Sequence, residues 1–184
     1  MPDVTFRRNL SLKVKILELF KFDIWKDINS DDYEIRKTVQ TQWETNFEIY
    51  AQKYDMIKPM LPSDFINTYE EYSSFHDMLI RQVYSFKNSI YIVLERKIHI
   101  VIKYTGIQSF NIDFSKQDVN FGLYSDGMSC WGYDEFSEDG HGLTHSILTD
   151  IGCEIKIEFK DISVRIYKNT IMNRRGYNYV FRRF

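Results

Sequence analysis

The residues able to do acid–base or metal chemistry in this 184-residue chain are four histidines and a short run of carboxylates. His76-Asp77 is the first candidate, because an imidazole held by a carboxylate can accept a proton from a substrate. Neighbours on a strand point to opposite faces, however. The pair is therefore expected to serve structure, with Asp77 capping a turn and His76 packed at an edge. Asp139-Gly140-His141-Gly142, with Glu138 and His145, offers ligand types for a metal. A metal centre needs three or four convergent ligands and this spacing fits no zinc pattern, so a flexible loop tip is the simpler expectation. His99 lies in an isoleucine-rich segment and reads as a partly buried sheet residue. No Ser–His–Asp or Cys–His set can be assembled locally, and Gly140-x-Gly142 lacks the strand-to-helix setting of a phosphate loop. No catalytic residue, cofactor site or metal ligand is assigned on these grounds, and no cofactor is expected. A hydrolase using His76 and Asp77, or the segment from Asp139 to His145, is the enzymatic alternative.

Two surfaces are candidates for binding rather than chemistry. Asp134, Glu135, Phe136, Glu138 and Asp139 form an acidic run with an aromatic residue inside it. Carried on an exposed loop, such a run would steer a basic protein partner by charge and anchor it by the ring. A solvated loop is the reading that assumes least. At the other end, Lys168, Arg174, Arg175, Arg182 and Arg183 are interleaved with Tyr177, Tyr179 and Phe181. Arginine with aromatics can stack on single-stranded nucleic acid, but an edge strand with outward charges needs fewer assumptions. The net charge of −2 supplies no overall basic field, so nucleic acid is not the expected partner.

The elements that must hold these residues change period part-way along the chain. Leu12, Ile16, Leu19, Phe20 and Ile24 recur at helical spacing, although Leu10 to Ile16 also alternate as a strand would. Asp31 with Glu34 has capping-box spacing, and Ile35, Val39, Trp43, Phe47, Tyr50, Tyr54 and Ile57 then make one apolar stripe. Pro59 and Pro62 end that helix, and Ser63 is the expected N-cap of a short one over Asp64–Tyr72, with Phe65, Ile66 and Tyr69 inward. From Phe75 the period becomes two. Met78–Phe86, Ile90–Glu95 and Ile98–Tyr104 read as strands joined by tight turns at Lys87-Asn88 and Arg96-Lys97. Ile107–Phe114 reads as a fourth strand, residues Ser115–Gly142 as loop, and Leu143–Leu148 with Gly152–Phe159 as a hairpin. The apolar phase flips at Lys160-Asp161, which requires a bulge or turn there. Tyr177–Phe184 would add an edge strand. Ile90–Glu95 and Ile98–Tyr104 are apolar on both faces and must be covered on both; the helix over Ile35–Ile57 is the expected cover. The fold class is thus α+β, N-terminal helices packed on a mainly antiparallel β-sheet, in one domain with a helical part over about residues 10–72.

With the landmarks placed, an order of motifs emerges. Leu61-Pro62 leads to Phe75-His76-Asp77-Met78-Leu79-Ile80, then to Trp131-Gly132-Tyr133-Asp134-Glu135-Phe136. The closing segment runs from Glu154 through Phe159-Lys160-Asp161-Ile162. Over roughly residues 60–165 this resembles a family of uncharacterised bacterial proteins, a domain of unknown function marked by F-H-D-x-x-I, W-x-x-x-E and F-x-D-I. It is also similar to some immunity-type proteins that neutralise secreted toxins. The resemblance implies no catalytic residues. The expected function is a non-enzymatic protein-binding module of immunity type. Nucleic-acid binding through the basic tail is a further alternative. Two cysteines, an N-terminus without a basic start and apolar run, and no stretch of membrane-span length point to a cytoplasmic protein with free thiols and no membrane contact. Oligomeric state is left open.

Overall fold

The computed structural model describes residues 17–118, 129–138, 140 and 142–168. Helix α1 (Phe22–Ile28) buries Phe22 and Trp25. Helix α2 (Tyr33–Ile57) is capped one residue later than the spacing suggested. The Asp32 carboxylate accepts the Glu34 and Ile35 amides at 2.8 and 3.5 Å, satisfying donors that the first turn leaves free. Helix α3 (Ser63–Glu71) has Pro62 at its N-cap position, so Ser63 is its first residue and not the cap its residue type suggested. No described helix is long and apolar enough to cross a membrane.

Among the described residues eight antiparallel strands follow, and they form two sheets rather than one. Strands β1 (Leu79–Phe86), β2 (Ser89–Glu95), β3 (Ile98–Thr105) and β8 (Asp161–Lys168) lie in the order β1-β2-β3-β8. Strands β4 (Ser109–Asp113), β5 (Trp131–Glu138), β6 (Leu143–Thr149) and β7 (Glu154–Phe159) lie in the order β4-β7-β6-β5. The α+β class, helices first and antiparallel strands after, is as the sequence indicates. The expected loop over 115–142 is corrected, since β5 runs through its second half. The proposed strand at 177–184 lies outside the described residues.

The second correction concerns what covers the strands. Ile92, Leu94, Ile100 and Ile102 from the first sheet join Ile147, Ile155 and Ile157 from the second in one buried cluster. Each such side chain contributes roughly 1.5–3 kcal/mol, so the two sheets cover each other. Helix α2 packs on β5 at the flank instead. Ile35, Val39, Trp43 and Phe47 cannot all face one way, because each step of four residues drifts by about 40° on a helix. Trp43 is buried, whereas Ile35 and Phe47 are each 41% exposed.

The phase flip at Lys160 is where the chain passes from one sheet to the other. Strand β7 pairs with β4 and β8 with β3, so two long bent strands serve both layers. Gly106 sits at the bend with φ +63, and a Cβ there would lie 2.8 Å from that of Lys160. Only glycine fits both the left-handed backbone and the close approach. Ile155, Ile157 and Phe159 before the bend and Ile162 after it all enter the same core.

Candidate functional site

Strand β5 positions most of the residues singled out by type. Its pairing with β6 slips between Trp131 and Tyr133, a bulge at Gly132, where a Cβ would meet the Leu148 carbonyl at 2.9 Å. The extra residue re-phases the strand, so that Trp131 and Asp134 turn to the same inner side. The Trp131 indole N–H donates to Asp134 Oδ1 at 3.2 Å.

The acidic run is therefore not an exposed loop. Asp134 is 4% exposed, Glu135 and Phe136 are also buried, and Glu138 is exposed at the end of the strand. Asp139 and His141 lie outside the described residues. Glu135 faces away from the sandwich and accepts the amides of Glu18, Leu19 and Phe20 at 3.3, 2.7 and 2.8 Å. It pins the segment before α1 onto the sheet. Burial lifts its carboxyl above the usual carboxylate range, with the three amides pulling the other way. Phe136 stacks on the His145 ring, centroids 3.8 Å apart. Surrounded this way, Asp134, Glu135 and Phe136 are engaged with the chain itself.

His145 is a core residue on β6, 0% exposed, and not part of a metal-binding loop. Its Nε2 lies 2.7 Å from Asp134 Oδ2 and its Nδ1 2.8 Å from the Tyr104 hydroxyl. Tyr69 donates to the same Asp134 oxygen at 2.8 Å. One proton assignment uses every group once. Tyr104 O–H donates to a neutral imidazole at Nδ1, and Nε2–H, Tyr69 O–H and the Trp131 N–H all donate to an ionised Asp134. Burial first, then the Asp134 charge, hold the Tyr69 and Tyr104 hydroxyls far above their ordinary range. Among the described residues no group of three His, Cys, Asp or Glu side chains could hold a metal. Cys130 and Cys153 are free and buried, and burial pushes both thiols up to about 12.

His76 and Asp77 lie ahead of β1, and the strand geometry assumed for them does not apply. Ser73, Ser74, Phe75 and Asp77 all have left-handed φ, 51 to 61°. Each costs roughly 1–2 kcal/mol without glycine. Docking offsets this: Phe75 is fully buried, and the Asp77 amide donates to the Trp131 carbonyl at 2.9 Å. The turn lets the His76 and Asp77 side chains approach, with Nε2 3.6 Å from Oδ1. His76 Nδ1 lies 2.6 Å from the carbonyl of Gly132. A carbonyl only accepts, so Nδ1 carries the proton and Nε2 is left as the second site.

These pieces border one cavity of about 380 Å³ between α2, the left-handed turn and β5. Its walls include the rings of Phe20, Phe47, Tyr50, Tyr54, Tyr69 and Tyr133, and Asp134 also lines it. His76, Ser73 and Ser74 line the turn side. The Tyr54 hydroxyl is buried and makes no hydrogen bond. The volume is within the range of small-molecule sites.

No protein-family model matches the chain. No curated protein matches it either. Among solved structures, an uncharacterized protein from Neisseria gonorrhoeae aligns with a TM-score of 0.38 and 19% identity, over 50% of this chain and 92% of that one.

Of the residues selected from sequence, the fold brings Asp134 and His145 into contact and places His76 on the cavity's turn side, with Asp77 outside the lining. Glu138 stands apart, on a wider and more polar concavity with Lys53 and Lys156. Sequence reading missed the tyrosines. Tyr50 and Tyr54 appear in it only as part of a core stripe, and Tyr69 only as an inward residue of α3. An apolar stripe rich in tyrosine, not leucine, was the available signal, because a tyrosine hydroxyl needs a partner once buried.

Proposed function

We propose that this chain is a non-enzymatic binding module whose recognition element is the aromatic cavity beside β5. The observation that carries the reading is an aromatic-walled cavity of about 380 Å³, lined by six rings with Asp134 beside them. The strained turn at Ser73–Phe75 supports the same reading, since such backbone collects at sites where a ligand must be approached. In the immunity-type form suggested by the motif order, the bound group is a side chain of a basic partner protein. The exposed acidic loop that first suggested a partner is replaced in this reading by the cavity.

The test is a fragment screen by NMR on the full chain, repeated on Ala51→Phe. Ala51 is an exposed α2 residue on the cavity wall, so a ring there fills the space without disturbing the core. Hits should shift resonances of Phe47, Tyr54 and Tyr133 and vanish in the variant. Hits that persist in Ala51→Phe, or none at all, refute the reading.

A second reading has one specific observation behind it. His76 Nε2 is the nitrogen left over after Nδ1 donates to Gly132, and the ring borders the cavity. A hydrolase would use that nitrogen as a base. It requires turnover of an activated ester that is abolished by His76→Ala with cavity binding intact.

A further inference from the structure

We infer that the cavity's ligand is cationic: an ammonium or guanidinium group on an apolar body. This rests on the cavity being a binding site and goes on to specify its chemistry. Three features of the molecule lead to it.

The first is a buried charge without a counter-ion. Asp134 accepts from Tyr69, Trp131 and His145, and the proton assignment that satisfies Tyr104 and His145 together makes all three neutral donors. Neutral donors stabilise a carboxylate but leave its net charge in place, and a charge in low dielectric acts strongly on what comes near. The second is the composition of the wall. Six aromatic rings line the cavity, with Asp134 and Glu70 and, among the described residues, no Lys or Arg. Glu70 pairs with Lys58 beyond the lining, so Asp134 is the uncompensated acid. Ring faces attract cations, best of all where water is excluded. The third is Tyr54. Its ring lines the cavity, and its hydroxyl is buried without a hydrogen bond. Burial, then the Glu70 and Asp134 charges, push that hydroxyl well above its ordinary range, so it stays protonated and the local field opposes a further negative charge. An anionic ligand would meet both the carboxylate and the ring faces unfavourably.

Two matched pairs of probes test this by NMR titration on the full chain. Choline is compared with 3,3-dimethyl-1-butanol, which has carbon in place of the charged nitrogen. N-acetylargininamide is compared with N-acetylcitrullinamide, which keeps the shape of the side chain and loses the charge. In at least one pair the cation should bind about tenfold or more tightly than its neutral counterpart. Its resonance shifts should centre on Tyr54 and Tyr133. Phe47→Ala removes a ring from a half-exposed rim position, and with near-UV circular dichroism unchanged it should weaken the cation several-fold. Discrimination in the choline pair identifies a free organic cation as the ligand class. Discrimination in the arginine pair alone identifies a partner's side chain. Neutral probes that bind at the cavity as well as the cations, or better, overturn the inference and leave the cavity as a binding site. Failure of all four probes to bind overturns the inference and the binding-module reading together.

Discussion

Replacing Asp134 by Asn exchanges one oxygen for an NH₂ group in the centre of the molecule and tests whether this group is an ionised carboxylate. Both Tyr69 and His145 donate to Oδ2, at 2.8 and 2.7 Å, and Trp131 donates to Oδ1 at 3.2 Å. An asparagine keeps one acceptor. Its better orientation leaves the oxygen with Tyr69 and His145 and turns the NH₂ toward the Trp131 N–H, donor against donor. Two charge-assisted bonds become neutral ones, each losing about 1 kcal/mol, and one buried donor is orphaned at about 1–3 kcal/mol. The flipped orientation orphans two donors and is worse. The sum is roughly 3–5 kcal/mol, the range seen when one partner of a buried charged network is removed. Urea unfolding followed by tryptophan fluorescence measures it. In a chain of this size a Tm lower by roughly 6–20 °C should accompany it. A loss under about 1 kcal/mol would mean that Asp134 is already protonated in the fold, and the uncompensated charge beneath the cavity would not exist.

Trp43→Ala removes the buried anchor of α2, whose ring meets Phe20 and Tyr133 at 5.4 and 4.9 Å; urea unfolding should show a loss of roughly 3–5 kcal/mol. Glu135→Ala frees three amides and should cost about 2 kcal/mol or more, with hydrogen exchange accelerated first at Leu19 and Phe20. The thiols of Cys130 and Cys153 should resist a thiol reagent at mildly alkaline pH in the native protein and both react once it is denatured. Their folded pKa of about 12 lies above the ordinary value of 9.0. This stabilisation is complete below pH 9 and is lost as pH rises toward 12, so the urea midpoint should fall across that window.

Regular elements were legible wherever one period dominated. The hairpin at Lys87-Asn88, with φ of 45 and 58°, and the buried strands around it followed from alternation and turn placement. The place of helix α3 followed from Pro62 and its inward residues, although Ser63 is its first residue and not its cap. Strand β5 was not legible, because its inner positions carry Trp131, Asp134 and Phe136 with a bulge between the first two, and no simple alternation survives that. The turn at Ser73–Phe75 has left-handed backbone without glycine or asparagine, so nothing in its residue types announces it. Burial of Asp134 and His145 depends on tyrosines from α3 and β3, many residues away. A short-range reading counts their charges as solvated. The two-sheet arrangement was hidden for a related reason: the flip at Lys160 requires a break but does not say that the chain changes layers there.

The bend shared by Gly106 and Lys160 acts as the spine of a book whose covers are the two sheets. Neither cover can be detached without opening the pairing of the chain on both sides of the spine. Residues 98–113 must find residues 154–168 across a long intervening segment before either layer closes. Such non-local pairing places this protein among slow folders, and it predicts that the layers melt together in one transition and not in succession.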